Sequence, residues 1–208
     1  MADLTRRDAL IAFSSAALIG VAASAGLGAP AWAQGPSDDE LVQRAIHYLD
    51  GLVSVKGRFQ QADQKGGTAD GTFYMARPGR ARFEYDAPSS LLITCDGRTV
   101  ILSDQQRHTF QRVALASTPL GVFLSDHIRV DSGAQVTRVD RLDNGGFAVT
   151  ARGANARDGQ ITLYFADRPL RLSGWQVTDA GNHVTRVTLS ALVPIAAPPA
   201  DFFTQEQH

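Results

Sequence analysis

Arg77 stands two residues beyond Met75 and four beyond Phe73, in the segment Gly71-Thr-Phe-Tyr-Met-Ala-Arg77. Side chains alternate faces along a strand, so Arg77 belongs with that apolar row. A guanidinium carries five N–H donors and a permanent charge. Aiming it at an apolar surface is unfavourable unless something accepts those donors. The chemistry on offer is hydrogen bonding, with no covalent step, and the question is what the acceptor is. Glu84 and Asp86, just past the Arg77-Pro78-Gly79 turn, are the ordinary answer: a surface ion pair.

Few other residues are arranged for catalysis. His47, His108, His127, His183 and His208 are scattered and share no metal-ligand spacing with Cys, Asp or Glu. No Gly-x-Ser-x-Gly elbow and no phosphate-binding loop occurs. Cys95 is the only cysteine, so no internal disulfide can form. Its place in the apolar run Leu91 to Cys95 suits a small buried hydrophobe rather than a reactive thiol. The chain therefore reads as a non-enzyme with no cofactor and no metal. A net charge of -1 over 208 residues argues against a nucleic-acid partner.

The elements that must position Arg77 are strands. Val53, Val55, Gly57 and Phe59 alternate with Ser54, Lys56, Arg58 and Gln60. Gly66-Gly67 turns the chain into Gly71 to Arg77, Pro78-Gly79 turns it into Ala81 to Tyr85, and Asp96-Gly97 joins Leu91–Cys95 to Thr99–Ser103. Short strands are expected over Thr109–Val113, Val136–Leu142, Phe147–Arg152, Gln160–Ala166, Leu170–Thr178 and His183–Leu189. Two helical pieces interrupt them. Ser37-Asp38-Asp39-Glu40 is a capping box that opens a helix with Leu41, Val42, Ala45, Ile46 and Leu49 on one side. Thr118-Pro119 opens a second, nearly all-apolar piece containing Leu120, Phe123 and Leu124. About ten or eleven antiparallel strands without a βαβ unit predict a mainly β (α+β) fold: a strongly curved, incomplete antiparallel barrel with helices on its concave side.

Residues 1–33 read as a cleaved export signal, leaving 34–208 as a single domain. Thr5-Arg6-Arg7 precedes a long uncharged stretch that ends at Ala31-Trp32-Ala33, the small-x-small pattern of a cleavage site. The paired arginines suggest the twin-arginine route, with the general secretory route left open. An uncleaved membrane anchor is the alternative, and Pro30 argues against it.

Phe59-Gln60, the strand ending Arg77-Pro78, the aromatic strand Phe83 to Tyr85, Pro88, Asp96-Gly97 and Thr118-Pro119-Leu120 follow one another in an order that resembles the LolA-type periplasmic lipoprotein carriers. The resemblance implies a half-barrel lidded by helices around an apolar cavity, working as a monomer in the periplasm of a Gram-negative bacterium. It also implies acylated lipoproteins as cargo, an inner-membrane ABC transporter as donor, and an outer-membrane acceptor whose identity stays open. The physical task is plain: a triacylated lipoprotein exposes on the order of 45 methylenes, and at ~0.8 kcal/mol each the cost of hydration is tens of kcal/mol.

By alternation, Val53, Val55, Phe59, Phe73, Met75, Phe83, Tyr85, Leu91 and Ile93 form the candidate cavity wall. Leu41, Ile46, Leu49, Leu120, Phe123 and Leu124 form the candidate lid. Residue by residue, ordinary core is the simpler reading of each; the functional expectation is that this core can divide. The resemblance assigns Arg77 as a lid lock that bonds lid backbone carbonyls in the empty state. Carbonyls at a helix end are good acceptors for it.

Two departures from the family pattern are visible. Ala81 fills a wall position that is often aromatic, and a C-terminal extension associated with a dedicated outer-membrane receptor is not evident after Phe203. A carrier of another lipid, such as a glycolipid, and a lipoprotein-sensing stress-signalling protein are the alternative readings.

Overall fold

The computed structural model describes residues 35–124, 134–153, 159–190 and 192–204. The leader expected over 1–33 lies outside them. The capping box forms: the Ser37 N–H donates to Glu40 Oε2 (2.6 Å) and the Glu40 N–H donates to Ser37 Oγ (3.2 Å). It opens helix α1 (Asp38–Asp50), which buries Leu41, Val42, Ala45 and Leu49. The hydrogen bond from the Ser37 backbone holds the Glu40 carboxyl below its usual range.

Strands β1 (Ser54–Asp63), β2 (Thr68–Ala76), β3 (Arg80–Tyr85), β4 (Leu91–Asp96), β5 (Thr99–Asp104) and β6 (Thr109–Ala114) follow. A 3-10 turn (Leu115–Ser117), which the sequence did not suggest, leads into helix α2 (Leu120–Leu124). Strands β7 (Ala134–Arg141), β8 (Phe147–Gly153), β9 (Gln160–Asp167), β10 (Leu170–Thr178) and β11 (Val184–Leu189) complete the main sheet. The tail adds β12 (Val193–Pro194) and a second 3-10 turn (Ala200–Phe203).

All pairings are antiparallel, in the spatial order β6-β5-β4-β3-β2-β1-β11-β10-β9-β8-β7. Paired neighbours along this path are consecutive in sequence except at one junction, where β1 pairs with β11 over its second half and with β12 over its first. The strand count exceeds the expected ten or eleven because of β12, whose two residues carry no alternation to read. Strands β6 and β7 end the path and the sheet is not closed.

The curvature follows from distances between strands that are not neighbours. Four steps separate β3 from β10, about 19 Å in a flat sheet at ~4.8 Å per step. Yet the rings of Phe83 and Trp175 lie 6.0 Å apart, and those of Phe73 and Trp175 5.6 Å apart. The sheet curls until side chains on its inner face meet across the hollow. Helices α1 and α2 occupy the same hollow, α1 against β7, β8 and β10 and α2 against β8.

Candidate functional site

The inner face of the first strands is an aromatic wall. Register places Phe73 opposite Phe83, Met75 opposite Ala81, and Val55 opposite Met75. Phe73 and Met75 are completely buried, with Val55, Phe59 and Phe83 nearly so. Phe59 meets Phe83 and Tyr85 edge-on at 5.6 and 5.0 Å. Tyr85 and Ile93 are half-buried against this core. The Tyr85 hydroxyl donates to Gln61 Oε1 (2.6 Å), and burial pushes its pKa up to about 12.

Two of the wall assignments need correction. Val53 is 65% exposed. The alternation that includes it does not extend back that far, because β1 starts only at Ser54, and the turn out of α1 directs Val53 to solvent while its carbonyl accepts the Arg77 N–H (2.8 Å). Leu91, at the start of β4, is half-buried but lies outside the core cluster. Sequence reasoning also missed half the wall. Phe147, Phe165, Ile161, Leu163, Leu172 and Trp175 line the inner face of β8 to β10. Their period-two pattern is visible, but nothing in the sequence alone says that these strands face the same hollow.

The lid residues lie against this wall. Leu41 and Leu49 on α1 and Phe123 and Leu124 on α2 are buried, whereas Ile46 and Leu120 are half-buried at its margin. The Phe123 ring lies over Trp175 at 5.5 Å, tilted by 32°. It thereby joins α2 to an aromatic run that continues through Phe73 and Phe83.

At the rim of the wall the β2–β3 turn meets α2. Arg77 Nη2 donates to the Phe123 carbonyl (3.0 Å), and the Gly79 N–H donates to the Leu124 carbonyl (2.8 Å). The competing acceptors are engaged elsewhere, Glu84 with Arg82 and Asp86 with Arg58. A cleft of about 400 Å³ opens beside this contact, lined by Pro78, Gly79, Gly97, Leu115 and Leu124 among others.

Gly79 could not have been foreseen as part of the contact. Its φ is +71°, and a Cβ there would lie 2.6 Å from the Gly97 Cα. The β2–β3 and β4–β5 turns therefore touch backbone to backbone. Gly79→Ala combines a left-handed conformation with this overlap and should cost roughly 2 kcal/mol or more, lowering Tm by about 4–8 °C. An unchanged Tm in thermal denaturation would show that the two turns do not press on one another.

Helix α1 is attached differently. The Arg44 guanidinium pairs with Asp167 on β9 and lies 5.8 Å from the Phe147 ring centroid. Arg141 on β7 donates to Asp38 Oδ1 (2.7 Å) and to the Pro36 carbonyl (2.6 Å). Tyr48 meets Phe165 edge-on at 6.1 Å. Charged groups thus tie the start and the middle of α1 to the sheet, whereas α2 is held at the β2–β3 turn by the hydrogen bonds from Arg77 and Gly79.

Among the described residues, no group of three or more His, Cys, Asp or Glu side chains gathers to hold a metal. Burial, the dominant influence on it, pushes the Cys95 thiol up, away from the reactive thiolate.

A family model described as outer membrane lipoprotein carrier protein LolA matches residues 50–206. The outer-membrane lipoprotein carrier protein of Bordetella pertussis is 28% identical over 209 aligned positions, covering 95% of this chain and 96% of its own length. That of Cupriavidus taiwanensis is 29% identical over 187 positions, covering 82% and 85%. A solved structure of a LolA superfamily protein from Nitrosomonas europaea aligns with 78% of this chain and 97% of its own, at 12% identity and a TM-score of 0.45.

Proposed function

The chain belongs to the LolA family of outer membrane lipoprotein carrier proteins, and from that premise we propose that it shields lipoprotein acyl chains between the two membranes of a Gram-negative bacterium. In this reading residues 1–33 export the protein to the periplasm. An inner-membrane ABC transporter loads it, and an acceptor at the outer membrane unloads it. No bond is made or broken.

The observation that carries the reading is the way α2 closes the aromatic wall. An acyl chain entering the hollow replaces apolar contacts with apolar contacts, so the lid's hydrophobic burial is largely exchanged rather than lost. Polar attachments are not exchanged in this way. They decide which element gives way. Helix α2 has to break the bonds from Arg77 and Gly79 to its carbonyls, whereas α1 would have to break charged ties at Asp38 and Arg44. The moving lid is therefore α2, Arg77 is its lock, and α1 is a fixed part of the container. Leu41, Ile46 and Leu49 then belong with the wall residues in function.

The test is what accompanies the protein when it is purified from the periplasm of its own cells. Bound triacylated lipoproteins are the expected result. Free glycolipids or phospholipids in their place would assign the same hollow to another lipid. A protein that carries neither, and that binds no fluorescent acyl probe, would overturn the carrier reading.

A further inference from the structure

The outer face of the latch strands carries a feature that the carrier reading does not use. After β11 the tail passes along the first half of β1, where Val193 pairs with Lys56 and the Ile195 N–H donates to the Ser54 carbonyl (3.1 Å). It ends in the Ala200–Phe203 turn, packed on β3 and β4. Register puts Tyr74, Arg82 and Thr94 side by side on this face, opposite to Phe73 and Phe83. Phe202 meets Tyr74 edge-on at 5.0 Å and lies under the Arg82 guanidinium at 4.7 Å. Its carbonyl accepts from Arg82 Nη1 (2.9 Å). Phe203 is fully buried, and the Arg80 guanidinium sits 5.5 Å from its ring centroid. Arg80 Nη2 also reaches back to the Arg77 carbonyl at 3.5 Å.

The β2–β3 turn is closed at its base by the Ala76–Arg80 pair, and the backbone donors of its tip point away from it: the Arg77 N–H donates to the Val53 carbonyl, Pro78 has no N–H, and the Gly79 N–H donates to the Leu124 carbonyl on the lid. When α2 lifts, the Gly79 bond is lost along with the lock. Beyond the Ala76–Arg80 pair the tip can then relax out of the geometry that recaptures the lid.

We propose that Phe203, acting through Arg80, is a positioning residue for the lid lock, and that the tail is an outer brace that keeps the β2–β3 turn ready to close. Arg80 is held on the aromatic face of Phe203 and holds the Arg77 carbonyl in turn, so tail and latch are joined through one side chain. This inference rests on the carrier reading for its purpose, but its test uses the protein without cargo.

The measurement is amide hydrogen exchange in full-length Arg80→Met, which keeps the aliphatic stem and removes the guanidinium. The Gly79 amide reports opening of the latch, and the amides of β9 report opening of the core. Loss of a cation–π contact and its hydrogen bond is expected to lower Gly79 protection roughly two- to thirty-fold with β9 unchanged. Phe203→Leu, which keeps most of the buried volume without the aromatic face, should reproduce the effect, and Arg80→Lys should recover part of it. Unchanged Gly79 protection overturns the proposal. So does a fall in Gly79 and β9 protection together, which would mark the tail as general support. Failure to bind an acyl probe would remove the carrier reading but leave this coupling to be read on its own.

Discussion

Arg77→Leu is expected to lower the melting temperature of the empty protein by roughly 3–10 °C while leaving the fold intact and raising the affinity for an acyl probe about 10- to 100-fold. The basis is a linkage between lid closure and cargo. In the empty protein the Arg77 guanidinium donates to the Phe123 carbonyl at 3.0 Å, and a hydrogen bond from a charged group contributes about 1.5–3 kcal/mol. That contribution belongs to the closed lid only. Removing it shifts the closed-to-open ratio by the corresponding factor, so less closing energy opposes loading. Release slows for the same reason, because closure of the lid is what drives the chain out. Leucine suits the apolar neighbours of the site, so the fold should tolerate it, and Arg77→Lys should fall between the two. The measurement is probe titration together with transfer of bound cargo to an acceptor membrane. Transfer at the normal rate would sink the lock.

How far such behaviour could be foreseen depends on the kind of information each part needs. Alternation placed Arg77 on the face of Phe73 and Met75, and that face is set by strand geometry alone. The capping box, the Asp96-Gly97 hairpin and most strand limits are likewise local, and they appear as expected. Val53 failed because alternation says nothing about where a strand begins, and the exit turn of α1 decided that. Trp175, Phe147 and Phe165 were invisible as wall because their membership depends on the curl of the sheet, a sum of twists over many strands. The tie between Arg44 and Asp167 joins residues 123 positions apart. The contact of Gly79 with Gly97 requires two turns to be brought together by pairing of β3 with β4. Local chemistry showed that the donors of Arg77 need an acceptor, but only the packed sheet shows that the Phe123 carbonyl is one.

That same packing makes tethering the two helices the sharpest test of which one moves. A bridge between α2 and the sheet should abolish acyl-probe binding, whereas a bridge between α1 and the sheet should leave affinity within about threefold. For α2 the positions are Val122 and Gly153, since a Cβ on Gly153 would lie 3.9 Å from Val122 Cγ2. Val122→Cys with Gly153→Cys can close as a disulfide, and a reductant should restore binding. For α1 the positions are Asp38 and Arg141, whose side chains meet at 2.7 Å, and a short bismaleimide spans cysteines placed there. Cys95 is buried and does not compete for either bridge. The large effect follows from the state of the interior. Phe73, Met75 and Phe123 are fully buried against one another's neighbours, so a chain enters only if one of these surfaces withdraws. Denying that withdrawal forfeits the transfer free energy of the chain, roughly a dozen kcal/mol for sixteen carbons. Binding blocked by the α1 bridge would make α1 part of the moving lid, and its charged ties would then have to break on loading. Binding that survives the α2 bridge would mean that cargo enters without lifting α2, and Arg77 would be a structural hydrogen bond with no part in release.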